Sequence, residues 1–118
     1  MAIEIGAKGL AEVNLTIPQG TSLTFDVEHT DEDGNPVDHS SSTAKMRMVT
    51  KDGSDHWQLD ECCTGTTTGV HVSVPAATSL TLPIGKLVWD MLVTTSTGDV
   101  LRLCYGACVV IDTYAGDE

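Results

Sequence analysis

Asp90 lies in the middle of the most apolar run of the chain, LPIGKLVWDMLV, directly after Trp89. A carboxyl group in such a setting has two readings. It is either a catalytic acid held in a hydrophobic pocket, or the solvent side of a strand. Period-two alternation separates them, because successive strand residues point to opposite faces. Leu87, Trp89, Met91 and Val93 then share one face, and Lys86, Val88, Asp90, Leu92 and Thr94 share the other. An unpartnered buried carboxylate costs several kcal/mol or takes up a proton, so the outward placement is expected, with Arg102 as the partner. Closing a hairpin at Thr97-Gly98 puts residue 94 roughly opposite residue 102.

The other candidate groups point away from catalysis. His29, His39, His56 and His71 could act as bases, but no G-x-S-x-G elbow, H-E-x-x-H pair or phosphate-cradling glycine loop accompanies them. DEDGNPVD resembles a calcium loop in composition, yet Gly34 comes fourth after Asp31 rather than sixth, and Ser42 occupies the twelfth position. Cys62 and Cys63 are adjacent and do not aim at one ion, whereas Cys104 and Cys108 would sit about 13 Å apart along a strand. Free thiols and no metal are expected. Asp26, Glu28 and Asp90 could pair as glycosidase carboxylates, but the few aromatics leave little for a sugar platform. No catalytic, cofactor or metal site is expected, and the chain reads as no enzyme.

The elements that would position these residues are strands. Alternation recurs at Val13, Leu15 and Ile17; at Leu23, Phe25 and Val27; at Ala44, Met46 and Met48; and at Val70, Val72 and Val74. Polar turns intervene at residues 18–20, 31–36, 51–54, 64–69 and 97–99, and PAATSLTLP is the one place for a short helical turn. With 118 residues there is room for one core. About seven to eight short antiparallel strands predict an all-β, two-sheet, immunoglobulin-like sandwich over residues 11–118. Residues 1–10 fall outside this pattern and read as an amino-terminal arm, free or docked on a neighbour.

The formal net charge is −11, and the six Lys and Arg residues are spread along the chain. That balance argues against binding nucleic acid or an anionic membrane. No secretion signal or membrane-spanning run is apparent, so production in a cytosol is expected. In DVLRLCYGACVVID, plain alternation assigns Leu101, Leu103, Tyr105, Ala107, Val109 and Ile111 to the core. It sends Val100, Cys104, Cys108 and Val110 outward beside Val88 and Leu92. A strand pair apolar on both faces needs a cover, and another subunit supplies the simplest one. Val88, Asp90 and Leu92, with Ile3 and Ile5 of the arm, are therefore the expected interface residues.

In order, LTIPQGTSLTFDVEHTDEDGNPVDHSSSTAKMRM, GVHVSVP and LPIGKLVWDMLVTTSTGDVLRLCYGACVVID resemble small bacteriophage virion proteins, in the manner of tail-collar, fibre-attachment and baseplate β-sandwich domains. The shared layout is a D-x-D-G-x-P turn, an A-K-M-R-M-like strand, G-K-x-x-W-D, and a G-D-V-x-R-L hairpin. It covers about residues 13–112; the Cys62-Cys63 pair and the tail YAGDE lie outside it. The resemblance implies a structural protein present in many copies on a particle, assembled in the host cytoplasm and contacting other virion proteins of the head or the tail. The rival reading is a carbohydrate- or receptor-binding module.

Overall fold

The alternating segments become strands in the computed structural model, which describes residues 2–6 and 11–113. The elements are β1 (Ala2–Ile5), β2 (Ala11–Glu12), β3 (Leu15–Pro18), β4 (Leu23–His29), β5 (Thr43–Thr50), β6 (His56–Gln58), β7 (Cys63–Gly65), β8 (Gly69–Val74), α1 (Ala76–Ser79), β9 (Gly85–Thr94) and β10 (Val100–Ile111). One sheet runs β1-β4-β8-β7; the other runs β2-β10-β9-β5-β6, with β3 also on β10. The chain is thus a mostly β, sandwich-like protein with two sheets packed together. Between them, Phe25 meets Trp89 edge to face, ring centroids 6.2 Å apart. Met46, Met48, Met91 and the β8 valines fill the same core.

Two expectations need correction. The strands are not all antiparallel, because β1 runs parallel to β4, and β2 and β3 run parallel to β10. Strands β4 and β10 would otherwise present open edges, and unpaired edges invite aggregation. The amino-terminal segment covers both, in the direction the chain happens to run. The expected arm is accordingly a sheet strand from Ala2 to Ile5, and Ile5 lies in the core at 2% exposure. Met1, residues 7–10 and residues 114–118, which include the acidic tail, lie outside the described residues.

The second correction concerns β10. Its pairing with β9 slips between Arg102 and Cys104, leaving Leu103 as the extra residue of a β-bulge. Leu103 and Cys104 both point inward, and the alternation restarts out of phase. Cys108 and Val110 are therefore core, while Val109 and Ile111 are exposed and Tyr105 and Ala107 half-buried, the reverse of the plain reading. Before the bulge, Arg102 faces Leu92 and Val100 faces Thr94, two residues away from the register expected of the hairpin.

The short helical turn falls where PAATSLTLP places it. The buried Ser79 hydroxyl donates to the Thr21 carbonyl at 2.6 Å and accepts from the Gly20 amide at 3.0 Å. These bonds tie α1 to the β3–β4 turn and keep the buried hydroxyl hydrogen-bonded.

Candidate functional site: the outer face of the six-stranded sheet

Asp90 faces outward on β9, flanked in register by Arg47 of β5 and Tyr105 of β10. Its carboxylate lies 3.5 Å from Nε of Arg102. The Arg102 guanidinium in turn sits 4.7 Å above the Tyr105 ring. The bulge makes this arrangement, since removing the Leu103 side chain inward brings residues 102 and 105 onto one face. An exposed pair of this kind contributes little to stability, about 0.2–1 kcal/mol. Its effect is to hold the Arg102 guanidinium beside the carboxylate, while register places Arg47 on the neighbouring strand across from it.

Around this centre the register builds rows across β5, β9 and β10. Val49, Val88 and Ala107 form one row, and Lys45, Leu92 and Arg102 another. Val88 is 42% exposed and Leu92 37%, with Val100, Val109 and Ile111 also open on this face. A shallow depression of ≈ 790 Å³ lies over the first row, rimmed by Lys51, Asp52 and Lys86. Hydrogen bonds from Ser54 and Thr50 hold the Asp52 carboxyl down at about 2, so this rim acid is always charged.

Five of the six basic residues, Lys45, Arg47, Lys51, Lys86 and Arg102, thus stand on or beside one sheet face. They are scattered in the sequence, and the fold brings them to one face, where they are interspersed with Glu12, Asp52 and Asp90. Three adjacent strands with a common register gather residues that lie far apart along the chain.

The β2–β3 kink closes the opposite end of the depression. The indole N–H of Trp89 donates to the Val13 carbonyl at 2.9 Å, and the Ala107 amide donates to Oδ1 of Asn14 at 3.0 Å. This strap crosses directly over Gly106, where a Cβ would lie 2.0 Å from the Val13 oxygen. Gly106→Ala is therefore expected to cost about 2 kcal/mol through overpacking, measured as a lower urea midpoint with unchanged m.

The remaining candidates go elsewhere. Ile3 and Ile5 belong to the four-stranded sheet and do not join Val88, Asp90 and Leu92. All four cysteines are free thiols. Burial pushes Cys63 and Cys104 up to about 12 and Cys108 up to about 11, so none is a nucleophile at ordinary pH. Among the described residues no group of three or more His, Cys, Asp or Glu is arranged to hold a metal ion. The Asp31 carboxylate caps its own turn, accepting from the Asp33 and Asn35 amides at 2.9 Å each. His71 pairs with Asp26 at 2.7 Å, but on an exposed sheet face. His29 and His39 are buried against one another. Their burial had a faint signal: His29 continues the inward phase of Phe25 and Val27.

No protein-family model matches this chain, and no curated protein matches it.

Proposed function

We propose that this chain is a structural, non-enzymatic subunit of a bacteriophage particle, assembled by docking the outer face of the six-stranded sheet onto a neighbouring copy. The observation that carries the contact is the co-location of five basic residues and a row of exposed aliphatics on one face of a chain with net charge −11. The outward face of the four-stranded sheet is its complement. It presents Glu4, Asp26 and Glu28, with no Lys or Arg among the described residues. Such a head-to-tail contact is heterologous and builds rings or stacks. The phage assignment rests on the motif layout, in either a head-decoration or a tail-adaptor position.

The strand order supports an immunoglobulin-like reading. β1-β4-β8-β7 corresponds to the A-B-E-D sheet and β5-β9-β10 to C-F-G, with the parallel β1–β4 pair as a departure. Covering Val88, Leu92, Val100 and Val109 contributes roughly 1.5 kcal/mol each, about 6 kcal/mol in all, which falls in the low part of the ~4–15 kcal/mol lost on association. One such contact is weak alone, so charge complementarity and repetition along an assembly must supply the rest.

The test is a charge swap followed by sedimentation. Lys45→Glu with Lys86→Glu, or Glu4→Lys with Glu28→Lys, should each abolish self-association, and an equimolar mixture of the two should restore it. Val88→Asp should weaken association at least about tenfold without changing the melting temperature, as expected for one exposed site at an interface centre. Loss with Val88→Asp but no restoration in the mixture would keep the face and refute the occupant. A wild-type monomer at low salt and high concentration would refute the assembly itself.

A further inference from the structure

Between β4 and β5 the chain runs over residues 30–42 with one isolated bridge, Thr30 to Pro36. The loop displays Asp31, Glu32, Asp33 and Asp38 to solvent. Its one fully buried residue is a histidine, His39, at 0% exposure. The His39 ring lies within 9° of the plane of His29, and Nδ1 of His29 is 2.9 Å from Nε2 of His39. Nδ1 of His39 lies 3.0 Å from the Ser42 hydroxyl oxygen. The far nitrogen of His29, Nε2, is buried without a hydrogen-bond partner among the described residues.

The backbone presses the loop onto the β7–β8 turn at the same point. The His39 amide donates to the Thr66 carbonyl and the Val37 amide to the His29 carbonyl, both at 2.8 Å. Gly65 is required beneath, because a Cβ there would lie 1.9 Å from the His39 oxygen. The clasp is therefore one imidazole pair and a few backbone bonds, with little apolar burial to hold it.

An N–H···N bond needs one ring to donate and the other to accept. Two neutral rings meet that need in either direction, relayed to Ser42, and in either direction Nε2 of His29 stays unpaired. Protonating both rings would set two N–H groups against each other. A single added proton would place a cation in a site where no carboxylate among the described residues is turned toward it. Asp38 accepts from Ser40 instead, and Glu4 and Glu28 stand on the outward side of their strands. The turn at residues 65–68 carries no ionisable group, and on β7 the Cys63 thiol is held neutral. Burial, and then the neighbouring His29, hold His39 below the usual imidazole value, with Asp38 opposing more weakly.

We propose that the His29–His39 pair is a pH-operated latch that clasps the acidic 30–42 loop to the end of the sandwich and releases it on acidification while the sheets stay folded. The closed state binds fewer protons than the open one. Closure is therefore fully favoured above the ordinary histidine value of about 6.5 and is lost progressively as pH falls below it. Within that window each proton taken up raises the open population by up to about tenfold per pH unit.

Amide hydrogen exchange of the full chain at about pH 7.5 and pH 5.5, corrected for intrinsic exchange rates, reads this out. Protection over residues 30–42 should fall severalfold, up to about tenfold, while β5 and β9 amides keep theirs. The imidazole nitrogen resonances of His39 should titrate in the same transition. His39→Gln should remove the pH response, and His71→Asn should leave it intact. Unchanged loop protection, or titration of His39 with the loop still closed, would overturn the latch. A response lost in His71→Asn would do the same, and the two wild-type readouts decide the matter if His39→Gln does not fold.

Discussion

Cys108→Asp is expected to destabilise the domain by about 4 kcal/mol or unfold it outright, whereas Val109→Asp, one residue further on, is expected to cost less than about 1 kcal/mol. Cys108 is wholly buried opposite Leu87, in a core with no cation to receive a carboxylate. An aspartate there must either stay charged in an apolar medium or remain protonated, and both lower stability. Val109 is 37% exposed beside Lys86, where the same carboxylate meets water and a lysine. Plain alternation along β10 predicts the opposite ranking. Equilibrium urea unfolding of the two variants thus tests the bulge at Leu103 directly, and a larger loss for Val109→Asp would refute it.

The second large effect is expected at Trp89. Trp89→Ala should cost about 3–5 kcal/mol, because it removes a buried aromatic, its edge-to-face contact with Phe25 and the hydrogen bond to the Val13 carbonyl. Trp89→Phe separates these contributions. It keeps most of the apolar volume but leaves the Val13 oxygen without its donor, at a cost of about 1–2 kcal/mol. The strap over Gly106 should then loosen in both variants, seen as faster exchange of the Val13 and Ala107 amides while β5 stays protected. If Trp89→Phe leaves those amides unchanged, the indole N–H does not hold the strap.

Much of the core was legible from spacing. Phe25 and Val27, Met46 and Met48, Val70, Val72 and Val74, and Leu87, Trp89, Met91 and Val93 all lie on the buried face that their alternation assigns. Asp90 and Val88 likewise face outward, with Arg102 as the ion partner of Asp90. Leu101, assigned to the core, is already 36% exposed near the hairpin end of β10, and after Arg102 the reading failed because a bulge adds one residue without any glycine or proline to mark it. A single extra residue then inverts every later assignment. The amino-terminal strand was missed because its Ile3 and Ile5 give too short a pattern to stand out from an arm, and its role depends on the open edge of β4.

The sequence by itself determined that this protein is built of half-buried strands, because the period of its apolar residues is a local property. It also determined which side of β9 carries Asp90. Only the tertiary structure decided where β10 changes phase, and only it brought Lys45, Arg47, Lys51, Lys86 and Arg102 to one face. The same holds for His29 and His39, ten positions apart and joined by a buried bond. The physical reason is common to all three. Alternation records which way a side chain points, whereas register between strands and the closing of loops decide what it points at.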